Sequence, residues 1–124
     1  MTKILYVEDN EDNIYMLSTR LRREGFEVSI ARTGSEGVEM GRAELPDLVI
    51  MDLVLPEMDG FQAAQQLRAA DETSHIPIIA LSASVLPEHR HRAIDAGCDD
   101  FQTKPVDFPH LLAKIEELLN EAGD

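Results

Sequence analysis

The chain has 124 residues, 44% of them hydrophobic and 28% charged, which suits one globular domain with an apolar core. Its formal net charge of -13 argues against direct nucleic-acid binding, because phosphate backbones are bound by clustered Lys and Arg side chains. The single Cys98 excludes an internal disulfide, no apolar run approaches membrane-spanning length, and residues 1–3 lead straight into a predicted strand, so we expect a cytoplasmic protein without membrane contact.

The first predicted strand covers residues 4–7 and ends in two adjacent carboxylates, Glu8 and Asp9. Residues 10–24 form a predicted helix, because apolar residues recur at helical spacing and a glycine then supplies a stop. Apolar and polar residues alternate over residues 26–30, which is typical of a half-exposed strand. We therefore expect the second strand at an edge of the sheet.

The third predicted strand is the apolar run 48–51, and Asp52 is the first polar residue beyond it. The helix before this strand opens with a capping box at residues 33–36 and runs to about Ala43. A loop punctuated by Pro and Gly follows the strand, and residues 61–70 form the next predicted helix.

The fourth strand is predicted to begin at residues 76–77 and to end at Ser82, a hydroxyl where the earlier strands place carboxylates. Residues 87–96 form a helix with few apolar residues, which we expect to be the least firmly packed helix. The fifth strand, near residues 100–103, ends at Lys104. Asp107 then caps a last, strongly amphipathic helix.

Five repeats of strand then helix predict an α/β fold with a five-stranded parallel sheet covered by helices on both faces. The common solution is the doubly wound, flavodoxin-like (βα)5 arrangement with strand order 2-1-3-4-5, which also places the second strand at an edge. No linker or low-complexity stretch interrupts residues 1–124, so we expect a single domain.

In this order the carboxyl ends of strands 1, 3, 4 and 5 are neighbours about 4.8 Å apart, so their polar residues share one rim. Asp9 and Asp52 can bind Mg²⁺ together, with Glu8 positioning water and the main-chain carbonyl of Val54 adding an oxygen. A carboxylate accepts a phosphoryl group when a metal ion and an ammonium neutralise the transferring oxygens. We therefore predict that Asp52 is the nucleophile and that the Lys104 ammonium group neutralises charge on the transferring oxygens.

The run Asp52-x-x-x-Pro56-x-x-Asp59-Gly60 and the pair Lys104-Pro105, with the acidic pair and the strand spacing, resemble the receiver domains of two-component response regulators. The resemblance covers nearly the whole chain and is strongest to stand-alone chemotaxis and cell-cycle regulators. It implies a cis peptide bond before Pro105.

By this resemblance Asp52 is the phosphoacceptor, Ser82 the switch hydroxyl and Phe101 the switch aromatic. Val54 and Ser84 occupy positions that vary in the family and influence how quickly the acyl phosphate hydrolyses. A histidine kinase or phosphotransfer protein is then expected to donate the phosphoryl group, with Mg²⁺ as cofactor. The chain is expected to act as a switch and not as an enzyme on other substrates.

We expect helix 4, strand 5 and helix 5 to form the output surface that binds a downstream protein. The chain is expected to be a monomer or a phosphorylation-dependent dimer. Ser82 would be drawn towards the phosphoryl group, and Phe101 would turn inward from a more exposed position. Two alternatives are a metal-dependent phosphohydrolase and a receiver-like interaction module that is never phosphorylated. The phosphohydrolases usually carry Asp-x-Asp after the first strand and a cap domain, whereas this chain has Glu8-Asp9.

The remaining candidates are interpreted as structural. Cys98 is expected to pack in the core. The histidines, His75, His89, His91 and His110, are expected at the surface. Ile14, Tyr15 and Leu17 could form a docking surface for a partner helix, but burial in the core is expected for at least two of them.

Overall fold

Residues 1–56 and 58–123 are described by a computed structural model, in which five strands alternate with five helices. Glu57 and Asp124 lie outside the described residues. The elements in chain order are β1 (Lys3–Val7), α1 (Glu11–Arg23), β2 (Glu27–Ala31), α2 (Gly34–Glu44), β3 (Leu48–Asp52), α3 (Gly60–Ala69), β4 (Ile78–Ser82), α4 (Pro87–Asp95), β5 (Asp100–Thr103) and α5 (Phe108–Gly123).

The strands form one parallel sheet in the order β2-β1-β3-β4-β5, which confirms the predicted topology and the edge position of β2. The register aligns the ends of the central strands, since Val7 pairs with Met51 and Asp52 pairs with Leu81. The polar residues that follow these strands therefore emerge at the same level of the sheet.

Helices cover both faces of the sheet, and each face has its own buried apolar cluster. On one face, β-strand residues such as Leu5 and Met51 pack with the apolar sides of α2, α3 and α4. On the other, residues such as Tyr6 and Ile50 pack with α1 and α5. The central strands are buried on both faces, which explains why they appear in the sequence as continuous apolar runs.

Side-chain caps begin three of the helices, and the one at Thr33 belongs to the predicted capping box. The side chains of Asn10, Thr33 and Asp59 each accept a hydrogen bond from a backbone N–H in the first turn of α1, α2 and α3, at 2.9, 3.0 and 2.9 Å. These bonds satisfy N–H groups that have no partner inside the helix.

Two strand boundaries differ from those predicted. Asp52 is the last residue of β3 and is not beyond it, because it remains in register with Leu81 of β4. Strand β4 begins at Ile78, because the Ile76 amide is used in a turn, donating to Thr73 at 3.0 Å, and Pro77 has no N–H to add to the ladder.

Helix α4 is the least buried helix of the described chain, as predicted. Ala93 is its one buried residue, and Ile94 is 46% exposed. Two cationic side chains of the helix also contact the body of the protein: the Arg92 guanidinium lies 4.0 Å from the ring centroid of Phe61, and that of Arg90 lies 5.9 Å from the ring centroid of Phe101.

The expectation for α1 is also confirmed, since Ile14 and Leu17 are buried while Tyr15 is 72% exposed. Among the described helices we find none with both the length and the apolar character needed to span a bilayer.

Candidate functional site

The carboxyl edge of the sheet brings together the residues that the sequence placed at its strand ends. Glu8 follows β1, Asp52 ends β3, Ser82 ends β4 and Lys104 follows β5. All but Lys104 are buried, and Lys104 reaches in from the side with 22% of its side chain exposed. The backbone of Lys104 is held beside β4, since its N–H donates to the carbonyl of Ser82 at 2.7 Å.

Lys104 joins the two buried carboxylates. Its Nζ lies 2.8 Å from Oδ2 of Asp52 and 3.0 Å from Oε1 of Glu8, so one ammonium group bridges strands that are not its neighbours. The peptide bond between Lys104 and Pro105 is cis, as the family resemblance implied. The second oxygen of Asp52, Oδ1, accepts from the backbone N–H of Val54 at 3.0 Å.

Glu8 is held by several donors around its carboxylate. Its Oε2 accepts from the backbone N–H groups of Asp9 and Asn10 at 3.1 and 3.3 Å. Its Oε1 accepts from the side chains of Tyr6 and Asn13, both at 3.3 Å. Sequence reasoning missed Tyr6 and Asn13, because neither belongs to a motif and their role depends on side-chain orientation.

Three carboxylates form a group of the size that a cation requires. One oxygen from each of Glu8, Asp9 and Asp52 lies within 4.8 Å of the other two, and Asp9 is the exposed member. Asp59 is not part of this group: it caps α3 and lies 3.8 Å from a guanidinium nitrogen of Arg92.

The electrostatics follow from burial and crowding. Burial raises the pKa of Asp52 from 3.8 to about 6, and the nearby Glu8 adds to this rise against the hydrogen bonds from Lys104 and Val54. Burial would also raise the pKa of Glu8, but hydrogen bonds with Asp52 and Lys104 hold it below its ordinary value. Although burial opposes the charge of Lys104, its two carboxylate partners raise its pKa.

This arrangement predicts that Asp52→Asn stabilises the folded protein at neutral pH when EDTA removes divalent ions. Since folding raises the pKa of Asp52 from 3.8 to about 6, the folded state binds the proton more tightly, and stability is lost as the pH rises through that interval. We expect the variant to gain about 1–3 kcal/mol in free energy of unfolding at pH 7.5.

Urea unfolding of both proteins at several pH values measures this difference. The gain should shrink towards zero as the pH is lowered to the ordinary pKa of the carboxyl group. A gain of constant size across this range would show that the buried charge is not its cause.

Of Ser82 and Phe101, only Phe101 lies in a different position from the one predicted. The Oγ of Ser82 accepts from the backbone N–H of Ser84 at 3.0 Å, so the hydroxyl caps the loop after β4. Phe101 is only 5% exposed and packs in the cluster beneath α4, so the prediction of a more exposed ring is wrong. The reason is that α4 and the Arg90 side chain already cover this part of β5.

Two other sequence interpretations have clear outcomes. Cys98 is buried as predicted, and burial raises the pKa of its thiol to about 12, so the thiolate is scarce at neutral pH. His89 is not a simple surface residue: it is half-buried, and its Nδ1 lies 2.6 Å from Oγ of Ser84. No sequence pattern predicts the contact between His89 and Ser84.

Gly60 is a further residue whose role sequence reasoning missed, although it stands in the motif after Asp52. A Cβ atom at this position would lie 2.3 Å from the carbonyl oxygen of Asp52 and 2.7 Å from the Cα of Leu53. The absence of a side chain therefore lets the start of α3 fold back against the end of β3.

Comparisons with known proteins point to one family. A sequence model of the response regulator receiver domain matches residues 4–116. The chain is 33% identical over 119 residues to the polar-differentiation response regulator DivK of Brucella anthropi, covering 96% of this chain and 97% of DivK. It is 35% identical over 116 residues to the response regulator PleD of Caulobacter vibrioides, covering 94% of this chain but 26% of PleD.

Among solved structures, the receiver domain of the sensor histidine kinase PA1611 from Pseudomonas aeruginosa PAO1 is similar, with a TM-score of 0.90 and 31% identity. The similarity covers 96% of this chain and 98% of that one, and that structure has a magnesium ion coordinated in its active-site cleft. With the strand order, the acidic group and the Lys104 bridge, these matches show that the chain belongs to the response regulator receiver domain family of two-component systems.

Proposed function

We propose that this chain is a phosphorylation-dependent signalling switch, in which Asp52 accepts a phosphoryl group from a histidine kinase or phosphotransfer protein. The observation that carries the proposal is the Lys104 ammonium, 2.8 Å from Asp52 inside an acidic group. The phosphorylated domain then changes its α4, β5 and α5 surface and binds a downstream protein. Labelling with a small phosphodonor tests the first step directly.

The donor set fits Mg²⁺. Hard cations with oxygen ligands prefer carboxylates and water, and the cluster provides three carboxylates against one ammonium. We propose Asp9 and Asp52 as direct ligands, the Val54 carbonyl as a third, and Glu8 as the group that orients bound water. When bound, the ion supplies positive charge to the oxygens of the transferring phosphoryl group.

The protein's own groups account for the remaining chemistry. An oxygen of Asp52 forms the new O–P bond as the N–P bond of the donor phosphohistidine breaks, and the imidazole nitrogen keeps that electron pair. Lys104 neutralises charge on the transferring oxygens, and the Val54 N–H holds Oδ1 of Asp52 in place. Transfer ends on the chain itself, so we propose no activity on other substrates.

Magnesium binding should depend on Asp9 and not on acidic charge in general. Asp9→Asn is expected to weaken Mg²⁺ binding about tenfold or more, because it removes a charged ligand from the group. Asp59→Asn is the matched control, since asparagine can still cap α3 and Asp59 lies outside the group. Titration by tyrosine fluorescence is suitable, because Tyr6 contacts Glu8 and the chain has no Trp. Equal weakening in both variants would point to a diffuse acidic surface.

Ser82 should couple Asp52 to the output surface. Ser82→Ala removes a hydroxyl that can bond the phosphoryl oxygens, but it leaves Asp52 and Lys104 in contact. We expect the variant to remain phosphorylatable, while the NMR shift changes around Phe101 on adding beryllofluoride fall to about half or less. Ser74→Ala is the control, since Ser74 lies in the turn before β4 and bonds Asp71. Full-sized changes in Ser82→Ala would show that the signal takes another route.

A further inference from the structure

A chain of hydrogen bonds begins at Ser82 and reaches α4. The Ser82 Oγ accepts from the N–H of Ser84 at 3.0 Å, as described above. The Oγ of Ser84 in turn accepts from the N–H of Leu86 at 3.2 Å and lies 2.6 Å from Nδ1 of His89. His89 is in the first turn of α4, so this chain connects the site hydroxyl to the helix.

The first turn of α4 lacks a side-chain capping bond from its N-cap residue. Leu86 occupies the N-cap and makes no side-chain capping bond, whereas α1, α2 and α3 each have one. Val85 and Leu86 are exposed, and Ala93 is the one buried residue of the helix. The contact between His89 and Ser84 therefore ties the first turn of the helix to the loop that precedes it, at an end that no side chain caps.

We propose that His89 is a positioning residue that makes α4 follow the movement of Ser82, an inference that rests on the proposed phosphorylation of Asp52. When Ser82 moves towards the phosphoryl group, the Ser84 N–H that it holds moves with it. The imidazole transmits this displacement to the first turn of α4 through the Ser84 hydroxyl. Without the imidazole, the loop moves and the helix stays behind.

Three variants test this role. His89→Leu removes the hydrogen-bonding atom, while His89→Asn restores one on the γ-carbon, where Nδ1 is attached. His91→Leu is the matched control, since His91 is exposed and two residues along, on a different face of α4. Beryllofluoride serves as the phosphoryl mimic, and amide NMR shifts are recorded in all four proteins.

In His89→Leu we expect the shift changes of Leu53 and Ser82 to keep their wild-type size, while those of residues 90–94 fall at least twofold. His89→Asn should recover most of the α4 response, and His91→Leu should match the wild type. In the wild type the ¹⁵N shifts of the His89 imidazole should change on adding beryllofluoride, while those of His91 stay constant. A helix that is merely destabilised would not give this signature.

Full-sized α4 changes in His89→Leu, or equal losses in His89→Leu and His91→Leu, would overturn the role of His89 while leaving the phosphorylation of Asp52 standing. A wild type with no response at Leu53 and Ser82 would instead overturn the proposed function and this inference with it. The two failures are therefore distinguishable in one set of spectra.

Discussion

Asp52→Asn is expected to abolish phosphoryl labelling of the protein by acetyl phosphate in the presence of Mg²⁺. The wild type should gain one phosphoryl group, because Asp52 is the carboxylate on which Lys104 and the acidic group converge. The asparagine amide keeps the size of the side chain but is not a nucleophile. Intact-mass spectrometry measures the labelled fraction, and peptide mapping locates the label.

Asp59→Asn controls for the loss of a carboxylate in the same region, and it should be labelled like the wild type. Circular dichroism establishes that Asp52→Asn is folded, and the stability gain expected for this variant makes it a favourable case. Undiminished labelling of folded Asp52→Asn would refute the assignment of Asp52 as the phosphoacceptor.

Gly60→Ala is expected to have the second large effect, on both stability and labelling. The new methyl group would overlap the backbone of Asp52 and Leu53, at 2.3 Å from the Asp52 carbonyl oxygen and 2.7 Å from the Leu53 Cα. Backbone atoms cannot rotate away as a side chain can, so the end of β3 or the start of α3 must shift. We expect a loss of about 3 kcal/mol or more in free energy of unfolding.

Gly25→Ala is the informative control. Gly25 has a φ of +94°, so alanine there is strained, but a Cβ would have nothing within 4 Å. This variant should lose on the order of 1–2 kcal/mol, and its labelling rate should be unchanged because Gly25 precedes β2 at the opposite end of the sheet. Urea unfolding and labelling rates of both variants separate the effects. Similar losses in free energy of unfolding for both variants would mean that the backbone between β3 and α3 can shift at little cost.

The topology, and which residues meet at the carboxyl edge of the sheet, could be predicted from the sequence because both depend on backbone order. Apolar runs at regular spacing determine which strands are central, and the strand order then brings the residues after β1, β3, β4 and β5 to one edge. Asp52 and Lys104 are 52 positions apart in sequence, yet they meet for this reason alone. The edge position of β2 was predictable for a different reason, the alternation of apolar and polar residues along it.

The details that could not be predicted from the sequence depend on side-chain packing between elements. Tyr6 and Asn13 orient Glu8 from two different elements, and no local pattern marks either of them. The burial of Phe101 depends on how closely α4 lies over β5, which a weakly apolar helix leaves open in the sequence. The sequence predicts a surface position for His89 because the histidines are scattered and His89 and His91, two positions apart, point to different faces of the helix.

The few apolar contacts of α4 also bear on how the proposed switch would respond to temperature. Unfolding of the whole domain exposes its two apolar clusters, so its heat capacity change is large and its stability is strongly curved with temperature. A shift of α4 exposes little more than the surroundings of Ala93 and exchanges polar and cationic contacts. Its heat capacity change is correspondingly small, so the free-energy difference between the two proposed positions of the helix should be close to linear in temperature, whereas the global stability is strongly curved.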